Sequence, residues 1–340
     1  MKRLFPRKQC LCLFVSLVVC LWFCNNIGRL FLPVQRLSAC LDKTRPCCVE
    51  RTNISLVQPH VKKLERSSSV VEDLSFPVTS SVCRDIGKGG NRVWLLIAVI
   101  SKASHFKARN TIRQTWGSQT NANDKRVCMV FITGKTNASY SEKINKEILQ
   151  YGDIVQINKE DTYKNVVFKS IGMLKWAHLH VTNVQFLIKL DDDVFLHLTG
   201  LSQILSLFES QSGFIMGHRE EYAKPVRNSS SLYHISSSEY SGKFLPHYMR
   251  GGSYLISGDL IQELLSVIPR IPLVSIEDVY ITGICAAYVS AYHVYDCGFK
   301  SDFSLGDKKG LDGNTVTVYE YGPESISHIW NLTQHIVYSP

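Results

Sequence analysis

A run of three carboxylates is the strongest chemical signal in this sequence. Asp191, Asp192 and Asp193 directly follow residues 186–190, a mostly apolar stretch that is typical of a buried strand. Adjacent like charges repel, so folding alone gives little reason to place three of them at the end of a strand. Hard oxygen ligands at alternate positions suit Mn²⁺ or Mg²⁺, and such an ion can hold a diphosphate. A solvated acidic turn is the alternative interpretation.

A second acidic pair, Glu277 and Asp278, lies between apolar residues at the start of a predicted helix. Carboxylates at a helix N-terminus often do no more than complement the helix dipole. The functional alternative is a catalytic base, because a positioned carboxylate can accept a proton from a reacting group.

Two arginines, Arg109 and Arg113, are four residues apart on a predicted helix at 108–117 and therefore share one face of it. They come just after the first predicted strand, at 92–101. A guanidinium group can bind phosphate oxygens through paired hydrogen bonds. The pair predicts either contact with a nucleotide phosphate or a salt-bridged surface helix.

Strand and helix patterns alternate around these residues. Apolar runs at 92–101, 127–133 and 186–190 predict strands, and amphipathic stretches from 139 to 152 and from 163 to 180 predict helices. This alternation is typical of a mostly parallel sheet with helices on both faces. In such folds ligands bind beyond the carboxyl ends of the strands, which is where the three aspartates would lie.

The N-terminal residues predict a membrane anchor. Basic residues precede an apolar run at 10–24, and this arrangement keeps the N-terminus in the cytosol. We favour an uncleaved signal-anchor over a cleaved signal peptide, because the apolar core is at the long limit for a signal peptide. The predicted organisation is a cytoplasmic tail at 1–9, a transmembrane segment at 10–32, a flexible luminal stem at 33–82 and a folded domain at 83–340.

Composition and modification signals fit a luminal body. The net charge is +9, but the basic residues are scattered and form no basic-aromatic array of the kind that binds nucleic acid. Asn-x-Ser/Thr sequons occur at Asn53, Asn137, Asn228 and Asn331. Of the eleven cysteines, those after the predicted anchor are odd in number, so at least one is unpaired or intermolecular. A homodimer through an unpaired luminal cysteine is therefore possible.

Four stretches together resemble the β1,3-galactosyltransferase family, glycosyltransferase family 31, which includes β1,3-N-acetylglucosaminyltransferases. They are RNTIRQTWG at 109–117, FLIKLDDDVF at 186–195, GGSYLISGDL at 251–260 and EDVYITG at 277–283. Their order and spacing also match, and the resemblance covers about residues 83–332. The tail, anchor and stem are similar to the family's layout as well.

The resemblance implies a GT-A type fold, a UDP-sugar donor, Mn²⁺ or Mg²⁺, and inversion at the anomeric carbon. It implies that Asp191 and Asp193 are the metal-binding carboxylates of a DxD motif and that Asp192 supports them. Relatives usually carry a histidine that follows a strand late in the domain, and this histidine can complete the metal site. Tyr319 occupies that position here, and His328 is only a weak substitute.

The resemblance also suggests roles for the other motifs. It makes Arg109 and Arg113 candidates for contact with UDP, and it makes Asp278 the candidate base, with Glu277 beside it. Many relatives have a cysteine where Met249 stands here. Cys285 matches another cysteine position of the family. Because a methionine stands at 249, the resemblance suggests Cys297 as the partner of Cys285.

These observations predict a single-pass type II Golgi membrane enzyme with a luminal catalytic domain. It would transfer a hexose, most readily galactose from UDP-galactose, in β1,3 linkage to a glycan of a glycoprotein or glycolipid. The alternative within the family is transfer of N-acetylglucosamine from UDP-GlcNAc. The alternative of another class is a catalytically inactive, membrane-anchored glycan-binding or chaperone protein. The intact acidic motifs argue against it, whereas the missing histidine favours it.

Overall fold

The structure is a computed structural model that describes residues 50–53, 69–83, 93–136, 138–181, 183–300, 315–319 and 322–333. The predicted membrane anchor at 10–32 and the sequon Asn137 lie outside the described residues. Within the described parts, no helix is both long enough and apolar enough to cross a membrane.

The strands predicted at 92–101, 127–133 and 186–190 and the helices predicted at 108–117, 139–152 and 163–180 are all present among the regular elements. The strands are β1 (Glu50–Asn53), β2 (Leu95–Ile100), β3 (Asn121–Ala122), β4 (Lys125–Lys135), β5 (Ile154–Glu160), β6 (Phe186–Asp191), β7 (Phe195–Leu196), β8 (Phe214–Glu220), β9 (Tyr248–Ser257), β10 (Tyr292–Tyr295), β11 (Phe299–Lys300) and β12 (Thr317–Val318). The α-helices are α1 (Ser69–Glu72), α2 (Phe106–Gln114), α3 (Ala138–Tyr151), α4 (Val166–His180), α5 (Leu198–Ser206), α6 (Leu260–Val267), α7 (Ala286–Tyr288) and α8 (Pro323–Thr333). A π-helix, Val279–Cys285, runs directly into α7.

A mixed sheet forms the centre of the body. Its strands lie in the order β1-β10-β8-β9-β6-β2-β4-β3, and β5 pairs with β4. Strands β5, β4, β2 and β6 are parallel neighbours, whereas β9 runs antiparallel to both β6 and β8. The predicted α/β sheet is confirmed, but it is mixed rather than mostly parallel. An apolar run marks a buried strand without showing its direction, which is why the sequence did not reveal the reversal at β9.

Helices cover both faces of this sheet, as predicted. Side chains alternate along a strand, so Leu96 and Leu187 pack into one apolar cluster with α4, α6 and the π-helix. Leu95 and Ile188 pack into a second cluster with α2, α3, α5 and α8. Every residue of β2 is buried, because β2 lies between β4 and β6 beneath both helix layers.

Two segments of the predicted stem pack against the body. Strand β1 pairs antiparallel with β10. Leu74 is buried in the core, and Trp176 donates a 3.0 Å hydrogen bond from its indole Nε1 to Thr79 Oγ1. The body therefore begins before residue 83, and the flexible stem predicted at 33–82 does not include residues 50–53 and 69–82.

The described cysteines show one disulfide in full. Cys83 and Cys128 are bonded across 45 residues of sequence and tie the segment at 69–83 to β4. Closing a loop of that length stabilises the fold by about 4 kcal/mol on the chain-entropy account. Cys297 is disulfide-bonded, whereas Cys285 is a buried free thiol, so the suggested Cys285–Cys297 pair is not formed. Since Cys285 is buried, it is not the thiol through which two chains could be linked.

Candidate active site

Strand β6 carries the three aspartates to the edge of the central sheet. Asp191 is the last residue of β6 and pairs in register with Ile100, the last residue of β2. Because side chains alternate, Lys189 lies on the same face of β6 as Leu187, the face covered by the π-helix. The strand therefore aims a cation and a carboxylate at the region that the second acidic motif approaches.

The three aspartates have different environments. Asp192 Oδ2 accepts a 2.6 Å hydrogen bond from Ser101 Oγ and lies 2.9 Å from His105 Nδ1. This anchors the triplet to the segment that follows β2. The Asp191 side chain is 40% exposed, and Asp193 is exposed. Asp192 thus supports the turn, and Asp191 and Asp193 present carboxylates to solvent.

The donor atoms of Asp191 and Asp193 suit a divalent cation that is shared with a phosphorylated ligand. Withdrawal from solvent, together with the nearby charge of Asp193, raises the pKa of Asp191 to about 6 even though Lys189 opposes the shift. A bound cation would offset this concentration of negative charge. Among the described residues, no group of three or more His, Cys, Asp or Glu is arranged to hold a metal ion. Mg²⁺ is commonly held by one or two carboxylates, with substrate phosphates and waters completing its shell.

Lys189 joins the two acidic motifs. Its side chain is 1% exposed, and its Nζ donates a 2.6 Å hydrogen bond to Asp191 Oδ1. The same Nζ donates to the Gly251 carbonyl oxygen and lies 3.7 Å from Glu277 Oε2. Burial alone would lower the pKa of Lys189, but the charges of Asp191 and Glu277 outweigh it and raise that pKa. Lys189 is therefore a permanent buried cation between the motifs.

Glu277 is held by protein groups. It is 6% exposed, and its Oε1 accepts a hydrogen bond from the Tyr254 hydroxyl. Its Oε2 faces Lys189 at 3.7 Å. A carboxylate enclosed in this way is poorly placed to reach a ligand, so its main effect is electrostatic.

Asp278 is partly exposed and caps the π-helix. Its Oδ1 accepts from the Val279 backbone N–H at 2.8 Å, and its Oδ2 accepts from the Gly251 N–H at 2.8 Å. A Cβ at Gly251 would lie 3.1 Å from Asp278 Oδ2, so a glycine there allows the close approach. Withdrawal from solvent and the charge of Glu277 raise the pKa of Asp278 to about 7. That value is suited to a general base near neutral pH.

Both acidic motifs line one cleft of about 950 Å³. Asp191, Asp192 and Asp193 line it together with Glu277 and Asp278. The volume lies in the range of ligand sites. The cleft combines carboxylates able to hold a cation with a carboxyl group whose pKa suits proton transfer, so it can support metal-assisted group transfer.

The two predicted arginines do not line this cleft. Arg109 is fully buried and donates to Glu147 at 2.9 and 2.6 Å and to backbone carbonyls near the end of β2. Arg113 donates to both oxygens of Asp153, at 2.7 and 2.8 Å, and to Glu147 at 2.7 Å. This corrects the predicted phosphate contact, because buried carboxylates occupy both guanidinium groups. The salt-bridge interpretation fits, although the bridge is internal rather than on the surface.

The position of the expected histidine is filled by an aromatic ring. Tyr319 lines the cleft and packs against β9, where a Cβ at Gly252 would lie 3.0 Å from its ring. Partial burial alone would lower the pKa of Arg250, but its contacts with Glu220 and Tyr319 raise that pKa. His328 is exposed on α8 and does not line the cleft. Glycines 251 and 252 thus make room for Asp278 and Tyr319.

Sequence reasoning missed several residues of the cleft. Lys189 carried a usable signal, because a lysine inside an otherwise apolar strand needs a buried partner. Tyr163 and Tyr233 line the cleft with their rings 6.2 Å apart. No spacing rule links residues so far apart in the chain.

Comparisons with known proteins agree on one family. The family model described as "Galactosyltransferase" matches residues 107–296. An acetylgalactosaminyl-O-glycosyl-glycoprotein beta-1,3-N-acetylglucosaminyltransferase of Mus musculus is 30% identical over 58% of this chain and 52% of its own length. An N-acetyllactosaminide beta-1,3-N-acetylglucosaminyltransferase 2 of Mus musculus is 31% identical over 73% of this chain and 64% of its own length. A beta-1,3-galactosyltransferase 5 of Gorilla gorilla gorilla is 28% identical over 56% of this chain and 64% of its own length. The chain thus spans about half to two thirds of the length of these relatives.

Proposed function

Because this chain belongs to the galactosyltransferase family, we propose that it is an inverting, metal-dependent β1,3-glycosyltransferase that uses a UDP-sugar. The observation that carries the proposal is the convergence of two acidic motifs on one cleft of about 950 Å³. In the proposed reaction an acceptor hydroxyl oxygen forms a bond to the anomeric carbon of the donor sugar. The bond from that carbon to the diphosphate breaks, and UDP leaves with the electron pair.

The acidic triplet would hold the diphosphate end of the donor. Asp191 and Asp193 are the carboxylates that fit a divalent cation, and Asp192 fixes the turn through Ser101 and His105. When bound, Mn²⁺ or Mg²⁺ would neutralise the charge that develops on the leaving diphosphate. The proposed nucleotide site follows a GT-A type arrangement, in which the donor lies beyond the carboxyl end of β6.

Asp278 would accept the proton of the acceptor hydroxyl. It is partly exposed in the cleft, whereas Glu277 is buried and paired with Tyr254 and Lys189. Asp191 and Asp193 are assigned to the cation, so they would be poor bases. Inversion requires attack from the face opposite the leaving diphosphate. This role for Asp278 therefore requires the acceptor to enter from its wall of the cleft.

The proposed reaction has two candidate donor sugars. We propose galactose first, and N-acetylglucosamine is the second candidate because two of the similar proteins are named N-acetylglucosaminyltransferases. UDP release should be measured for a panel of UDP-sugars against simple β-linked acceptors. We expect acceptor-stimulated UDP release with one of these two donors.

A protein of another class would behave differently in the same assay. A catalytically inactive glycan-binding or chaperone protein would release no UDP with any donor and acceptor pair. Exposed carboxylates such as Asp193, together with the raised pKa of Asp278 at about 7, support the enzyme. Absence of acceptor-stimulated release across the whole panel would overturn the transferase proposal.

We further propose that the protein is a type II membrane protein of the Golgi, with the body in the lumen. The apolar run at 10–24 motivates this, and the exposed positions of Asn228 and Asn331 support it. The full-length protein expressed in animal cells should gain mobility on a gel after N-glycosidase treatment. Asn228→Gln should remove one step of that shift, and an unchanged mobility of the wild type would contradict a luminal body.

Loss of one cation-binding carboxylate should abolish transfer. Asp193→Ala should retain the fold, because Asp193 is exposed, and removal of a nearby like charge relieves repulsion with Asp191. It should weaken Mn²⁺-dependent binding of UDP, which calorimetry can measure without turnover. Asp73→Ala, at an exposed site outside the cleft, is the matched control. Full wild-type activity in excess chelator would exclude the metal role.

A further inference from the structure

The segment between β8 and β9 has a fixed backbone although it lacks long helices and strands. The Arg227 guanidinium donates to the carbonyl oxygens of Ile235 at 2.8 Å, Tyr240 at 2.7 Å and Gly242 at 3.2 Å. The Tyr240 hydroxyl donates to the Phe244 carbonyl at 2.7 Å. A single guanidinium thus ties three positions of this segment together. These contacts within the segment hold its conformation.

This fixed segment nevertheless exposes large apolar side chains. Leu232 is 69% exposed, Tyr233 is 59% exposed and Val226 is 40% exposed. Tyr233 and Val226 line the cleft. Exposed apolar side chains that are clustered at the mouth of a cleft are typical of ligand sites.

Tyr233 has a partner from a distant part of the chain. Tyr163, just before α4, lies edge-to-face against it, with 6.2 Å between ring centroids and an interplanar angle of 87°. Tyr163 is itself 48% exposed, so neither ring is covered by the other. Burial, Tyr233 and then the charges of Asp278 and Asp191 raise the pKa of Tyr163. The tyrosine pair therefore lies within electrostatic range of both acidic motifs.

We propose that Tyr163 and Tyr233 form the acceptor subsite, in which the Tyr233 ring stacks against the apolar face of a β-linked hexopyranose and the perpendicular Tyr163 ring borders it. This rests on the proposed transferase function and adds the place and chemistry of acceptor recognition. A pyranose ring presents C–H groups on one face, and the electron-rich face of an aromatic ring attracts them. The aspartate triplet and its cation would fill the diphosphate end of the cleft. Tyrosine rings suit a neutral ligand such as a sugar.

The position of the pair fits the direction of attack. The acceptor must place one hydroxyl beside Asp278, on the side of the donor sugar away from the diphosphate. Tyr163 responds to the charge of Asp278, and Tyr248, another cleft residue, does so as well. Asp278, Tyr163 and Tyr233 line the same cleft, so a sugar stacked on Tyr233 can lie beside the proposed base.

Tyr233→Ala tests the subsite by two readouts. The first is the KM for the acceptor, compared with the KM for the UDP-sugar. We expect the acceptor KM to rise about tenfold, the scale of one lost aromatic contact, and the donor KM to change less than about twofold. The second is the dissociation constant of methyl β-glycosides of galactose, N-acetylglucosamine and lactose, measured by NMR titration without donor. A methyl aglycone is used so that no aromatic group of the probe can itself stack.

Two further variants sharpen the result. Tyr233→Phe keeps the ring and should bind the glycosides within about twofold of wild type. Tyr288→Ala removes a tyrosine that is 52% exposed but does not line the cleft, and it should have no effect. Unchanged glycoside affinity in Tyr233→Ala, an equal loss in Tyr288→Ala, or no glycoside binding by the wild type would each overturn the subsite. Glycoside binding that depends on Tyr233 but is not followed by transfer with any donor would uphold the subsite and reject the transferase.

Discussion

Asp278→Asn should leave UDP-sugar affinity within about twofold of wild type and lower turnover at least ~100-fold, the scale expected for a lost general base. The substitution preserves shape, and the single amide oxygen can still accept a hydrogen bond from the backbone N–H of Gly251 or of Val279, whereas the amide NH2 faces the other. Lost packing should therefore not explain the loss. Steady-state kinetics would measure the change in turnover, and isothermal titration calorimetry of UDP binding would measure the change in affinity.

Glu277→Gln is the matched comparison for this experiment. It removes a neighbouring carboxylate that Tyr254 and Lys189 already hold. We expect a smaller loss of turnover from it than from Asp278→Asn. Near-normal turnover in Asp278→Asn beside an inactive Glu277→Gln would move the base to Glu277. Normal turnover in both would remove this motif from the chemistry.

The same assignment fixes the direction of the pH dependence. A general base acts in its ionised form, and the pKa of Asp278 is raised to about 7. As the pH falls through that value, Asp278 gains a proton, so kcat/KM should fall about tenfold per pH unit on the acid side. The residual activity of Asp278→Asn should lack this limb.

Lys189→Met should lower the free energy of unfolding by about 3–5 kcal/mol, because it removes the cation of a buried ionic cluster. Lys189 is 1% exposed and contacts Asp191 at 2.6 Å and Glu277 at 3.7 Å. Without it, two carboxylates remain in a site that already disfavours negative charge. A loss of that size corresponds to about 10 °C in the thermal midpoint of a domain of this size. Calorimetry or circular dichroism would measure it.

The double variant Lys189→Met/Glu277→Gln tests the cause. If the loss of stability comes from unpaired charge, neutralising Glu277 should restore a substantial part of it. The effects of the two substitutions would then not be additive, and a double-mutant cycle would measure this coupling. Lys175→Met is the control, since Lys175 donates only to the carbonyl oxygens of Val71 and Leu74, at 2.7 Å each. A Lys189→Met midpoint no lower than that of Lys175→Met would refute the ionic account.

The sequence predicted the fold class and the acidic motifs for identifiable reasons. Apolar periodicity located β2, β4 and β6, and the Asp triplet followed β6. Spacing also showed that Arg109 and Arg113 share one face of α2. Spacing could not show what that face contacts, because the partners Glu147 and Asp153 come from α3 and the segment after it. That information exists only once distant segments pack.

The same limit applies to the centre of the site. From the sequence alone, glycines 251 and 252 permit either a tight turn or close approach of the backbone to a ligand. In the structure they lie within β9 and admit Asp278 and Tyr319. The link between the motifs depends on the contact of Lys189 with Glu277, and the pairing of Tyr163 with Tyr233 likewise joins two segments far apart in the sequence. No local pattern encodes such contacts.

The packing of β1 along β10 affects how this protein can be produced for study. A secreted, anchor-free version that starts at residue 83, where the sequence alone places the body, would lack β1. Residues Tyr292–Tyr295 would then form a bare sheet edge with unpaired backbone groups, which favours aggregation. It would also lack Leu74 and the Val78–Gln156 bridge. Expression should therefore begin upstream of Glu50, and poor yields from shorter versions would reflect a missing strand rather than an unstable enzyme.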